Sequence, residues 1–217
     1  MRDSFRTIKG PASARITRRK SRFLAFAEPV GSAENVIAAL GDLRKSYHDA
    51  THVCSAHRLF ADEAPLSGSD DDGEPSGSAG LPILRQIEKA NLENVLVAVV
   101  RYFGGTKLGV GGLVRAYSDA AAEALDRAGL VLEELESTLT IEFPPEVTSG
   151  VMGTIHRHQA AVRHIEYDAV GLAEVGIPPS RAETFASAIQ DATAARARVV
   201  IKGPGERETE HREEADS

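Results

Sequence analysis

The segment VAVVRYFGGTKLGVGGLVRAYSDAA, Val97–Ala121, decides how this chain is read. An apolar run, Val97–Val100, meets five glycines within nine positions (Gly104, Gly105, Gly109, Gly111 and Gly112), with Lys107 among them. The cluster opens directly into a helical pattern. Glycine loses more conformational entropy on folding than any other residue, so such a loop has to return something for its cost. Strand, glycine loop, helix is a geometry that holds an anion. The helix start offers unpaired N–H groups and the positive dipole end, and glycines let a phosphate approach the backbone. Lys107 and Arg115 add charge. The plainer reading is a tight turn whose glycines allow close packing, and the residues alone leave both open.

Two familiar phosphate loops are excluded. A Walker A loop requires Gly-Lys-Ser/Thr after its second spaced glycine, and here the chain reads Gly109-Val110-Gly111. The dinucleotide pattern requires a third Gly or Ala, and the count from Gly109 and Gly111 ends on Val114.

Outward from this segment, the pattern resolves into alternating elements. SRFLAFAEPV (21–30) alternates as a strand over about 21–28. Residues 32–47 form a helix with Ser32 as N-cap and Val36, Leu40 and Leu43 at helical spacing. THVCSAHRLF (51–60) is a strand, 61–80 a long turn-rich loop, and LPILRQIEKAN (81–91) a short amphipathic helix. NVLVAVVRYF (94–103) is almost continuously apolar, which marks a central strand covered on both faces. The helix after the glycines carries Val114, Tyr117, Ala121 and Leu125 as its buried stripe and ends at Gly129.

From about residue 130 the texture changes. A strand (137–143), a helix (144–159), two strands (161–177), a helix (179–195) and a last strand (197–201) follow. That β-α-β-β-α-β order is the split arrangement of a ferredoxin-like unit. The expected fold is therefore α+β with two domains. The division is a basic arm (1–18), a first domain (19–132), a second domain (133–203) and an acidic disordered tail (204–217).

The chain has 217 residues, 42% of them hydrophobic and 26% charged, as in ordinary globular proteins. Its net charge of −7 argues against a protein that coats nucleic acid by bulk charge. The charge is uneven: residues 1–22 hold eight Lys/Arg against Asp3 alone, and 203–217 hold six acids. Local basic surface inside an acidic whole fits that asymmetry, and solvated tails are the plainer reading. Cys54 is the only cysteine, so no internal disulfide forms. The polar, basic start lacks the apolar core of a signal peptide, and no apolar run reaches the roughly 18 residues of a membrane span. A cytoplasmic location, no membrane association and no cofactor are expected.

Two further clusters carry possible chemistry. SDDDGEPSGSAG sets Asp70, Asp71, Asp72 and Glu74 around a glycine turn, a donor set suited to magnesium. An EF-hand loop wants its glycine at the sixth position; counted from Asp70 it stands fourth. Asp70, Asp72 and Glu74 are thus weak metal candidates, beside the plainer reading of an Asx-turn loop that caps the next helix. Ser76 and Ser78 are candidates for that cap or for an anion beside it. His52 and Cys54 share one face of a strand, as a Cys–His pair would, but a lone cysteine is more often a small buried apolar residue. Neither a nucleophile nor zinc is expected.

KSRF (20–23), HVCSAHRLF (52–60), SDDDGEPSGSAGLPIL (69–84, with one extra aspartate) and VVRYFGGTKLGVGGLVRAYSDAA (99–121) together resemble, in order, the IMPACT/YigZ family. The resemblance is strong over roughly 19–125. It implies an N-terminal domain like the second domain of ribosomal protein five, a fold shared with phosphorolytic RNases, and a C-terminal domain like the ferredoxin-like fifth domain of elongation factor G. Eukaryotic members regulate translation under amino-acid starvation and carry an additional RWD domain, which is not expected here. Bacterial members look like two-domain proteins of unsettled activity.

The leading expectation is a non-enzymatic protein that binds RNA, the ribosome or translation factors. Gly104, Gly105, Gly109, Gly111 and Gly112 would hold a phosphate, Arg101, Lys107 and Arg115 would supply charge, and Tyr102 or Phe103 would stack on a base. For Arg101 the plainer reading is a solvated strand end, and for Arg115 an i,i+4 pair with Asp119. A second reading is an enzyme on a phosphate-bearing substrate with magnesium on the acidic loop, and a third is a protein–protein adaptor.

Overall fold

The computed structural model describes residues 1–204. Contacts divide the chain into Ser4–Glu133 and a second unit of Met1–Asp3 with the chain from Glu134 onward.

The first unit is a five-stranded antiparallel sheet in the order β2-β3-β6-β4-β5: β2 is Ala12–Arg18, β3 Ser21–Pro29, β4 His52–Leu59, β5 Leu66–Asp70 and β6 Val95–Tyr102. β6 is central and buried through Arg101, as its unbroken apolar run requires. α2 (Gly80–Lys89) and α3 (Val110–Ala128) pack against one face. α3 presents Ala116, Ala120, Ala121 and Ala124, small residues that let its backbone lie close to Ala25 and Val97 on the strands. Each fully buried isoleucine of this core, such as Ile83 and Ile87, contributes about 1.5–3 kcal/mol by leaving water. α1 (Ala33–Ser46) builds a smaller cluster from Val36 with Val30, Leu59 and Leu96, and Ser32 Oγ caps it by accepting the Asn35 N–H.

Several expectations are corrected here. Residues 1–18 are not an arm: β1 (Ser4–Ile8) and β2 are strands, with Phe5, Ile8, Ala14 and Ile16 buried. Arginines alternate with these apolar residues and point outward, so the charge masked the strand period. The loop 61–80 contains β5, a short and mostly exposed edge strand with no apolar alternation to announce it. β7 (Leu130–Glu134) pairs with β1 in a two-stranded ribbon. On α3, Val114 is half-buried, and Leu113 and Ala116 enter the core beside Tyr117.

The second unit runs β8 (Ser137–Phe143), α4 (Thr148–Arg157), β9 (Ala161–Tyr167), β10 (Gly171–Ile177), α5 (Ala182–Thr193) and β11 (Arg198–Lys202). Its antiparallel sheet has the order β11-β8-β10-β9. Leu139, Ile141 and Val175 meet Val151, Phe185 and Ile189 of the two helices. Of the expected acidic tail, only Pro204 lies within the described residues.

Candidate functional site: a buried ion pair beneath the glycine loop

The site starts from strand register. In the β3–β6 and β6–β4 ladders Phe23 lies opposite Arg101, and Arg101 opposite His52. Side chains alternate across a sheet, so these three form a row on the helix-covered face. Arg101 continues the inward set Val95, Val97, Val99 at the point where the strand leaves the core. Tyr117 of α3 packs edge-on against Phe23, with centroids 5.2 Å apart.

The acidic loop descends onto this row. Glu74 places a carboxylate only 4% exposed against Arg101, 7% exposed. Arg101 Nη1 and the Tyr117 hydroxyl, at 2.8 Å, both donate to Glu74 Oε1. His52 Nε2 stands 3.9 Å from Glu74 Oε2. A carboxylate removed from water needs such partners, because the cost of an unpaired buried charge is several kcal/mol. The Arg101 guanidinium also sits 5.6 Å from the centroids of both Phe23 and Phe103.

Its neighbours hold the loop in place. The Asp71 carboxylate accepts the N–H groups of Gly77 (2.7 Å), Ala79 (2.9 Å) and Gly80 (2.8 Å), capping α2 from outside the helix. Desolvation pushes the Asp71 carboxyl up, but the three backbone bonds together outweigh it and hold it below its ordinary value. Asp72 Oδ2 accepts the Val53 N–H at 2.6 Å. The Asp72 carbonyl accepts from His52 Nδ1 at 2.7 Å. A carbonyl only accepts, so Nδ1 of His52 is the donor in this contact, and Nε2 faces Glu74.

Cys54 Sγ donates to the Asp71 carbonyl (3.0 Å) and lies 3.3 Å from the Tyr117 hydroxyl. Burial pushes the thiol up to about 12, so it is protonated at neutral pH and no nucleophile. Burial, and then Cys54 and Glu74, likewise raise the Tyr117 hydroxyl, which stays a donor.

Above this network lies a pocket of about 380 Å³. Arg101, Glu74 and His52 form its polar floor, and Phe103, Lys107 and Val110 stand on its walls. α3 begins there: Gly109, at φ +71°, is its N-cap, and no side chain caps the helix. Lys107 is exposed and forms no ion pair among the described residues. Arg101 Nε is buried without a hydrogen-bond partner. A mostly apolar hollow with a few convergent polar groups is the usual form of a ligand site.

Of the residues singled out in the sequence, Arg101, Lys107, Gly109 and Glu74 come together here. Arg101 is buried rather than a solvated strand end. Tyr102 alternates to the opposite face, where its hydroxyl donates to Asp49 at 2.7 Å and Arg22 covers its ring. Phe103, not Tyr102, lines the pocket. Gly104 serves packing: a Cβ there would stand 2.1 Å from the Lys20 carbonyl carbon. Gly105 and Gly111 are exposed and do not line the pocket. Gly112 and Arg115 border a separate depression, and Asp119 pairs with Arg18 at 3.0 Å instead of Arg115. Ser76 is exposed, and Ser78 is fully buried with Oγ unpartnered; neither caps α2, because Asp71 takes that place.

Each magnesium candidate already has partners, with Asp70 and Asp72 sharing the Arg44 guanidinium at 3.2 and 3.7 Å. Asp72 also turns to the β4 backbone, and Glu74 is engaged by Arg101. Among the described residues no three His, Cys, Asp or Glu side chains converge as a metal site. Sequence reasoning treated Tyr117 only as core, weighed His52 only with Cys54, and missed Thr51 on the pocket wall. The signal available was strand register, which puts His52 beside Arg101.

The Impact N-terminal domain profile matches residues 19–125. IMPACT family member YvyE of Bacillus subtilis (strain 168) is 32% identical over 167 residues, 77% of this chain and 76% of that protein. A Thermus thermophilus IMPACT family member, from the pol 5' region, is 45% identical over 157 residues, 71% of this chain and 80% of that protein. A crystal structure described as that of a hypothetical protein superposes with a TM-score of 0.66 at 26% identity, over 92% of this chain and 98% of that one. Among the described residues no helix is long and apolar enough to cross a membrane.

Proposed function

The chain belongs to the IMPACT family, and from that premise we propose that it is a non-enzymatic, translation-associated regulator that binds RNA in the pocket above Arg101. Eukaryotic proteins named IMPACT match this chain, at 42% identity over 123 residues in Saccharomyces cerevisiae and 40% over 98 residues in Oryctolagus cuniculus, and the translation regulation that the family resemblance implies supports the association with translation. The observation that carries RNA binding is the combination on the pocket: a buried guanidinium with an unpartnered Nε, an unpaired Lys107 on the wall, and an α3 start with no side-chain cap. In this reading Lys107 and the first turn of α3 hold a phosphate, and Phe103 stacks on the attached base. The Glu74–Arg101 pair fixes the floor rather than reacting.

The same reading gives the first unit a fold like the second domain of ribosomal protein five. It gives the second unit the ferredoxin-like fold of the fifth domain of elongation factor G, which its strand order supports.

The test is fluorescence anisotropy of a labelled mixed-sequence single-stranded RNA with the intact protein and Lys107→Ala, titrated with salt. Binding should fall steeply with salt and weaken several-fold in the variant. No binding by the intact protein at low salt would overturn RNA recognition and turn attention to protein partners.

A further inference from the structure

We infer that Arg18, Arg19 and Arg115 form a second anion subsite next to the main pocket, and that a single-stranded polynucleotide spans the two. The inference rests on the RNA reading above and deepens it. The depression measures about 210 Å³ and is lined by these three arginines with Gly112 and Asp119. Leu108 lines both this depression and the main pocket, so the two are neighbours across the Leu108–Gly112 turn. Three arginines line the depression beside one carboxylate, Asp119, which Arg18 occupies at 3.0 Å. Among the described residues Arg19 and Arg115 form no ion pair.

The backbone supplies an independent observation. Arg19 and Lys20 form the β2–β3 turn with φ of +44° and +67°. Two consecutive left-handed residues make the turn that favours Asn-Gly, and arginine and lysine hold it at a conformational cost. Strain kept at a basic hairpin tip motivates a functional reading. The tip is also anchored to the glycine loop: the Gly104 N–H donates to Ser21 Oγ at 3.1 Å, and Gly104 has no room for a Cβ against the Lys20 backbone. Cations of the tip and the wall of the main pocket are therefore held on one surface.

The ligand class follows from the chemistry. Guanidinium forks suit phosphate, and a mononucleotide carries one phosphate and fills one site. Consecutive phosphates fill both, with a base against the apolar walls between Phe103 and Leu108. An acidic peptide offers charge to the arginines but no ring for those walls.

The experiment uses the full chain with two probes, adenosine monophosphate and a short labelled single-stranded RNA. The variants are Arg19→Asn/Lys20→Gly, Arg115→Ala and, as a control, Lys45→Ala, an exposed cation of α1 paired with Asp42. The turn variant should melt at or above the intact protein, so any lost binding is not lost fold. It and Arg115→Ala should each weaken RNA binding roughly tenfold and lower the salt slope by about 0.7 for each phosphate contact removed. Adenosine monophosphate binding and the control should not change. If the intact protein binds RNA and both variants keep its affinity and slope, the subsite is overturned and the pocket reading stands. Intact protein that binds neither probe overturns both. Displacement of RNA by polyglutamate as effectively as by unlabelled RNA overturns the polynucleotide assignment.

Discussion

Replacing Arg101 with methionine tests the buried pair at its most exacting point. The substitution keeps an unbranched apolar stem over Phe23 and removes the guanidinium that Glu74 faces. Glu74, 4% exposed, would keep the Tyr117 hydroxyl at 2.8 Å and His52 at 3.9 Å. One neutral donor does not compensate a buried carboxylate, and breaking a buried pair from one side costs about 3–5 kcal/mol. For a chain of this size that is a drop of roughly 10 °C in the unfolding midpoint of the first unit.

Arg101→Met combined with Glu74→Gln removes the orphan charge and leaves an amide oxygen for Tyr117. The double variant should recover to within about 1–2 kcal/mol of the intact protein, the remainder being the lost cation–ring contacts. Adding Glu74→Gln to Arg101→Met should thus recover about 2–3 kcal/mol, and Glu74→Gln alone, which strands the buried Arg101 guanidinium, supplies the third corner of the cycle from which the coupling is read. Urea unfolding of the intact protein, both single variants and the double variant at neutral pH measures it. A cost below about 1 kcal/mol for Arg101→Met, or a double variant no better than Arg101→Met, would refute the pairing.

The other predictions concern what positions the pocket. Asp71→Asn should cost about 1–2 kcal/mol by leaving the α2 start poorly capped. The folded Asp71 carboxyl lies below its ordinary 3.8, so its contribution is full above that value and is lost as pH falls through the folded value. Thermal melts should therefore show the gap between intact protein and variant closing below pH 3.8. Gly104→Ala should destabilise by at least about 1–3 kcal/mol, since backbone at 2.1 Å has to move. Gly41→Ala, in open space inside α1, should stabilise by about 0.5–1 kcal/mol, as denaturant midpoints would show.

Periodicity made much of the fold legible. The apolar run of β6 identified the central strand, the Ser32 cap located α1, and the alternation after residue 137 predicted the strand and helix order of the second unit. Legibility failed where period and charge conflict. β2 reads as a basic tail because arginines occupy its outward positions, and β5 is too short and exposed for alternation to show. The site was half legible. Arg101, Lys107 and Gly109 stand in one contiguous segment, so composition alone drew attention to them. Glu74 was noticed for the wrong chemistry: its partner is a strand residue 27 positions away, and only the fold brings them together. Tyr102 illustrates the converse, since one step along a strand turns a side chain to the opposite face.

The most direct test of the account is ultraviolet crosslinking of the intact protein to single-stranded RNA, with the attached residues located by mass spectrometry. Crosslinks should fall at Phe103 and in the segments around His52 and Lys107 that line the pocket. RNA bound but attached only from Glu134 onward would contradict recognition in the pocket.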